Sequence, residues 1–454
     1  MRTVIHNGHI IDPSAGIDAR RNLVIENGKI TEIGDHPLQG DRQVDASGLI
    51  VSPGFVDLHI HEDPYLKEED RFDVSIFDAL LHMGATTAIG GNCGIGTERP
   101  DLYLEAVSRL GLPINAGLLV PHETLRRQAG QTDPYAPASS ENICFMEKMA
   151  EQYLNTGCLG ISFGIRYIPG ITEEELRCIS RAAKNHHGFI AAHIRDDADQ
   201  VLKAAEEFSA IGREHKLPVQ LSHIGSMAGF GQMEALLAMM DELAQAGLDI
   251  SGDCYPYTAF STFIGAATYD EGFLERYGID YEAIEIAEGE FQGQRCTEAL
   301  FRRLRTEVPK TLTIAHVMNQ ADIDLAVRHP RVMIASDGLI NGSRGHPRAA
   351  GTFPRVLGEY VRERKCLTLT QAIEKMTVLP ARRLGIAKGT LRVGADADIT
   401  LFDPDTIADQ ADFRHPLKPP AGIKAVFVNG KLALQDGKIL HRNAGAGVSK
   451  TAEK

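Results

Sequence analysis

From about residue 49 to residue 336, short apolar runs alternate with helical patterns, and this alternation limits the chain to folds built on a parallel sheet with helical crossovers. Nine runs qualify as strands: 49–58, 86–91, 114–120, 158–163, 189–193, 219–223, 248–254, 311–317 and 332–336. A closed barrel needs eight strands and about 250 residues, so the expected class is α/β, a (β/α)8 TIM-like barrel. The stretch 258–310 is rich in aromatic, glycine and acidic residues and reads as an insertion placed to cover the barrel mouth. The run 311–317 belongs either to the barrel or to that insertion.

The flanks have a different texture. Residues 1–51 read as short strands, with Asn27-Gly28 as a hairpin turn. Residues 385–445 repeat the pattern in ADADITLFD and IKAVFVNGKLALQDGKIL, with turns at Asn429-Gly430 and Asp436-Gly437. Two β-rich flanks around one α/β middle suggest a small β-sandwich domain formed by both termini, with the barrel over 52–384. The final GAGVSKTAEK is expected to fray.

Composition excludes some functions. A formal net charge of −14 argues against nucleic acid as a partner. No stretch reaches the roughly 18 consecutive apolar residues of a membrane span, and the first residues lack a signal-peptide pattern. Seven scattered cysteines resemble reduced intracellular usage rather than a disulfide framework, so a cytoplasmic location is expected. Association into homo-oligomers is left open.

The chemistry concentrates at strand ends. PGFVDLHIH closes on His59 and His61, which at i and i+2 of a strand point the same way. His193 closes GFIAAH, His223 closes PVQLSH, Asp337 closes RVMIASD, and Cys93 follows TTAIGGN. In such barrels the C-terminal strand ends carry the active site, so these six side chains converge. Imidazole and thiolate together suit Zn2+, and the carboxylate completes a harder position. Glycines around Cys93 are read as letting the backbone approach an ion. His316, which also ends an apolar run, is read as a supporting or core histidine. His122 and His346 lie in loops where either a substrate hydrogen bond or plain exposure is expected.

These segments, with PHETLR, LGISFGIRYIPG, DCYPYTA, GHPRAAGTFPRVLG and GADADITLFDP, resemble the N-acyl-D-amino-acid deacylase (D-aminoacylase) family of the amidohydrolase superfamily, in the same order from about residue 5 to residue 440. Many superfamily members bridge two metals with a strand-4 lysine, which CLGISFG lacks. The resemblance implies that Cys93 replaces it, with His193 and His223 completing one tight zinc site. His59, His61 and Asp337 would then shape a second, weaker position, so one zinc or two is open. A cyclic amide hydrolase of the hydantoinase or dihydroorotase kind, or a deaminase, is the rival activity, and the absent lysine counts against the cyclic amidases. A non-catalytic scaffold of this fold would have lost ligands, whereas all six positions are filled.

The implied reaction is hydrolysis of an N-acyl-D-amino acid, a small-molecule substrate. Asp337 is placed to accept a proton from a zinc-activated water and return it to the departing amine. Arg348 in GHPRAAG matches the arginine that holds the substrate carboxylate. Tyr255 and Tyr257 are candidates for substrate contacts, Tyr255 preferred. The family commonly carries a lysine where this chain has Gly225. Arg166 either substitutes for that lysine or favours a substrate with an extra acidic group.

Overall fold

The computed structural model describes residues 1–341 and 344–451. Its centre is a ring of parallel strands: β1 (Phe55–Asp57), β2 (Ala85–Gly90), β3 (Asn115–Leu118, resumed as Val120–Pro121), β4 (Ile161–Gly164), β5 (Ile190–His193), β6 (Val219–Leu221), β7 (Ile250–Cys254) and β8 (Val332–Ile334). Each pairs in parallel with its neighbour from β1 to β8. Leu118 O and Val120 N carry the ladder across the break in β3, accepting from Leu159 N at 2.9 Å and donating to Gly160 O at 2.8 Å. The ring closes between β8 and β1 through Asp337 N to His59 O and His61 N to Gly338 O, both 2.9 Å. The hydrogen bonds that shut the barrel are therefore made by the backbone of three proposed ligands.

Every residue of these eight strands is buried, which is why they read as near-continuous apolar runs rather than alternating ones. Amphipathic helices cover the outside; Glu173–Asn185, for example, starts at Thr172, whose side chain caps Glu175 N, and buries Leu176, Ile179 and Ala183. The unassigned run is not a barrel strand. Leu312–Ala315 pairs antiparallel with both Phe260–Phe263 and Ile284–Ile286, in a small separate sheet between β7 and β8.

Strands from both ends of the chain share one nine-stranded sheet, in which Ile50–Pro53 sits between Ile399–Phe402 and Arg2–Asp12. The single apolar run 49–58 thus serves two sheets, and the chain passes between them at Gly54. A Cβ there would lie 2.1 Å from Thr86 Oγ1, so only glycine allows the close passage. The far strand Lys29–Gly34 folds back through Ile30 N to Ala395 O (3.0 Å) and encloses Ile5, Leu23, Ile25, Val51, Leu401 and Phe427. At all three turns read from sequence, Asn27-Gly28, Asn429-Gly430 and Asp436-Gly437, both residues are left-handed, as a tight hairpin requires.

The expectation of a frayed end is corrected for residues 445–451. Gly445 N bonds Leu112 O at 2.8 Å, Val448 N bonds Ala116 O at 2.9 Å, and Val448 packs with Val56, Ile89 and Leu159 under the barrel. Residues 452–454 lie outside the described residues. Among the described residues no helix is long and apolar enough to cross a membrane.

Candidate metal centre

All six side chains named from strand ends meet at one end of the barrel. His59 and His61 follow β1, Cys93 follows β2, His193 ends β5, His223 follows β6 and Asp337 follows β8. They form two overlapping groups that could each hold a metal ion, with ligand atoms within 4.8 Å of one another: Cys93, His193 and His223, and His59, His61, Cys93 and Asp337. Cys93 Sγ lies 3.2 Å from His223 Nε2 and 3.3 Å from His59 Nε2. Asp337 Oδ1 lies 3.3 Å from His61 Nε2 and 3.4 Å from His59 Nε2. Cys93, His223 and Asp337 have φ of 53°, 34° and 49°, a region that non-glycine residues adopt at some cost and that often marks a functional constraint.

The electrostatics are those of a cation site. Burial alone would lower the pKa of His59, yet Asp253, Cys93 and Asp337 hold it well above its ordinary value. His61 is likewise pushed up to about 9 by Asp337 and Cys93 against burial. The reciprocal effects hold Cys93 and Asp337 well below theirs, although burial opposes both: His223 and His59 act on the thiol, and Arg348, His223 and His59 on the carboxyl. A thiolate and a carboxylate facing three or four imidazoles is also the donor chemistry of zinc.

The shell behind these side chains fixes which atoms they present. Asp253, buried in β7, takes His59 Nδ1 at 3.2 Å and His223 N at 2.8 Å on one oxygen, and Gln220 Nε2 at 2.8 Å on the other. His59 is thereby left with Nε2 for the centre, the carboxylate–histidine arrangement that orients metal ligands. Ser226 Oγ faces His223 Nδ1 at 2.8 Å, with the same result. Asp57 accepts from His59 N and Ser336 N, tying β1 to β8; burial raises it to about 7.

The glycines near Cys93 act differently from the sequence reading. They make room for protein rather than for an ion: a Cβ at Gly91 would meet Leu119 O at 2.3 Å, one at Gly94 would meet Gly164 N at 2.6 Å, and one at Gly90 would meet Glu62 Oε2 at 2.4 Å.

A cavity opens beside the cluster, bounded by Tyr167, His193, His223, Asp337 and Arg348 on the barrel side and by Phe260, Thr262, Thr268 and Tyr277 of the inserted segment. Its free space is about 20 Å³, room for roughly one water. The insertion is fastened across it by Tyr277, whose hydroxyl donates to Asp197 Oδ2 at 2.5 Å, and by the Arg276–Asp197 ion pair at 2.9 Å.

Residues 228–433 match the amidohydrolase family. The D-aminoacylase of Alcaligenes xylosoxydans xylosoxydans is 34% identical to this chain, over 99% of the chain and 98% of that protein. The chain belongs to the D-aminoacylase family of amidohydrolases. A solved D-aminoacylase, described by its binuclear metal centre with one-metal activation and second-metal attenuation, superposes with a TM-score of 0.88 at 30% identity over 99% of both chains. The N-acyl-D-glutamate deacylase of Bordetella bronchiseptica, complexed with zinc and a phosphonate inhibitor, superposes with a TM-score of 0.87 at 31% identity over 98% of both. These amidohydrolases establish the barrel-plus-sandwich fold for this chain over its whole length.

Within this amidohydrolase framework the remaining candidates part ways. Arg348 lines the cavity, pairs with Asp337 Oδ2 at 2.8 Å, stacks over the Tyr255 ring at 4.6 Å and keeps a buried Nε that has no partner among the described residues. Tyr255 is buried with its hydroxyl unpartnered among the described residues. Tyr257 instead bonds Asp409 Oδ2 at 3.2 Å. Arg166 does not line the cavity; its Nη1 is held by Asp196 at 2.8 Å. His122 and His346 are not exposed. His122 bonds Glu175 at 2.9 Å, and His346 uses Nδ1 for Arg348 N and Nε2 for Ala259 O, both at 3.0 Å. His316 stands away from the cluster against Glu285 and Phe413. Asp57 and Asp253 were missed; a carboxylate inside a buried run such as DISGDC was the available signal for Asp253. Tyr167, Thr262, Thr268 and Tyr277 come from loops and the insertion, where no local pattern marks them.

Proposed function

We propose that the chain is a zinc-dependent hydrolase that cleaves N-acyl-D-amino acids to a carboxylate and a free D-amino acid. The observation that carries this reading is the convergence of Cys93, His193 and His223 within 4.8 Å. The thiolate and two imidazoles would hold the tighter ion, and His59, His61 and Asp337 with Cys93 would frame a second, weaker position. The names of the solved relatives, a D-aminoacylase and an N-acyl-D-glutamate deacylase with zinc, support both the metal and the substrate class.

Zinc bound there supplies Lewis acidity and lowers the pKa of water toward neutrality. Asp337 is the proton acceptor and later the donor to the leaving amine. The imidazoles on Oδ1 and Arg348 on Oδ2 fix its two oxygens. Arg348 binds the substrate carboxylate through donors not committed to Asp337, with Tyr255 holding its plane. Tyr255, which does not line the cavity, serves the substrate through its ring under Arg348.

Gly225 adds no cationic group. A Cβ there would point at Ile323 Cδ1 and Cys254 Sγ, at 2.9 and 3.0 Å, so the carboxylate contact rests on Arg348. Arg166 stands outside the cavity wall with Nη1 on Asp196, so we assign it no direct substrate contact. The substrate is placed in the cavity between the cluster and the insertion, which Phe260, Thr262, Thr268 and Tyr277 wall on the outer side.

The test is a panel of N-acetyl and N-formyl D- and L-amino acids hydrolysed by zinc-loaded protein, with Cys93→Ala as control. Release of D-amino acids that disappears in Cys93→Ala is the expected result. Silence across the panel with zinc stoichiometrically bound would overturn the substrate assignment.

A further inference from the structure

We propose that Glu62 is a positioning residue that sets the place of the Cys93 thiolate by gripping both ends of its loop. The inference rests on Cys93 being a metal ligand, as proposed above. Glu62 directly follows His61, and its carboxylate reaches across to the loop after β2. Oε2 accepts from Gly91 N at 2.6 Å, and Oε1 accepts from Thr97 N at 2.8 Å. Cys93 lies between those two anchor points.

The loop needs holding. Gly91, Cys93 and Gly94 have φ of 75°, 53° and 71°, and the left-handed cysteine costs energy that its surroundings must offset. Two charge-assisted bonds from one planar carboxylate fix the loop at both ends at once, which neither a hydroxyl nor a single acceptor can do. Further anchors sit between or beside them: Gly94 N donates to Ser162 Oγ at 2.7 Å, the Asn92 amide to Ile89 O at 2.9 Å and Leu58 O at 3.2 Å, and Thr124 Oγ1 to Thr97 O at 3.2 Å.

The slot for the carboxylate is built. A Cβ at Gly90 would lie 2.4 Å from Oε2, and one at Gly96 would lie 3.0 Å from Oε1. Gly90 is an ordinary strand residue without positive φ, so the backbone does not demand glycine there. The space it leaves is taken by Glu62. Because Glu62 is bonded in sequence to His61, the same contact couples the end of β1 to the cysteine loop, and so ties one part of the metal centre to the other.

The experiment measures zinc affinity by chelator competition for the wild-type chain, Glu62→Gln, Cys93→Ala and the double variant, with melting of the metal-free proteins alongside. Loss of a ligand-orienting contact weakens metal binding by about 10- to 100-fold. Glu62→Gln is expected to show that loss and a weaker thiolate-to-metal charge-transfer band in the cobalt-substituted protein. In the Cys93→Ala background the same substitution is expected to change the residual affinity by less than about twofold, because the pair acts as one unit.

Equal losses in both backgrounds, or none in either, would overturn the inference. Should Glu62→Gln fail to fold, Gly90→Ala displaces the carboxylate without removing it and is expected to give the same pattern; failure of both to fold makes Glu62 a fold residue and also overturns it. A wild-type chain whose zinc affinity does not depend on Cys93 would refute the underlying metal reading instead, and that is read from the first comparison alone.

Discussion

Arg126→Met should destabilise the barrel by about 3–5 kcal/mol, the cost of leaving one member of a buried ion pair without its partner. Arg126 and Glu175 are 2% and 0% exposed, and the guanidinium meets both carboxylate oxygens at 2.8 and 2.9 Å. Its other nitrogen donates to Ala136 O at 2.8 Å, adding about 1 kcal/mol. With the guanidinium gone, Glu175 keeps, among the described residues, His122 alone at 2.9 Å, and the low-cost response is to take up a proton. Doing so at pH 7 from an ordinary carboxyl pKa near 4.3 costs about 3–4 kcal/mol, which agrees with the range above.

The sign of the pH dependence follows. In the wild-type chain His122 and Arg126 outweigh burial and lower the pKa of Glu175, so its contribution is present above the unfolded value and is lost as pH falls through the folded one. In the variant burial prevails and the folded pKa is raised, so stability is lost as pH rises from about 4 toward 7. At an unfolding entropy of roughly 2 cal/mol/K per residue, the loss lowers Tm by about 3–5 °C for a chain of this length. Melting by circular dichroism at pH 5 and pH 7, at fixed zinc, reads both effects. A Tm within 1 °C of wild type at pH 7, or a deficit that grows as pH falls, would refute the reasoning. Adding Glu175→Met to the variant should restore most of the loss.

Two further predictions concern the centre and its cover. Asp253→Asn keeps the shape but loses the charge that orients His59 and His223, and should weaken zinc binding by about 10- to 100-fold; chelator competition with the purified protein measures it. Tyr277→Phe removes the hydroxyl bond to Asp197, worth about 1.5–3 kcal/mol for a charged acceptor, and should raise the open population of the insertion about tenfold or more. Limited proteolysis within residues 258–310 should quicken accordingly, and unchanged cleavage would show that Tyr277 does not fasten the insertion.

The convergence of the six candidate ligands was legible because five of them are polar residues closing apolar runs, a pattern set by the barrel's own geometry; Cys93 instead stands in the glycine loop after its run. His59 and His61 follow from strand alternation alone. The fold was legible for a similar reason, since burial on both faces writes barrel strands as unbroken apolar runs. The run 49–58 was not resolved into two strands because Ile50–Pro53 and Phe55–Asp57 are equally buried and only the Thr86 side chain against Gly54 forces the break. The final segment reads as a small, polar tail, yet Val448 fills a place under the barrel that only the assembled strands create. The carboxylates of Glu62 and Asp253 take their meaning from backbone N–H groups dozens of residues away, which no local pattern records.

The most direct test of the account is anomalous diffraction at the zinc edge from crystals of the zinc-loaded protein. A peak is expected about 2.3 Å from Cys93 Sγ and about 2.0–2.1 Å from one ring nitrogen each of His193 and His223. A hydrolytically active crystal whose zinc lies elsewhere, with Cys93 uncoordinated, would contradict it.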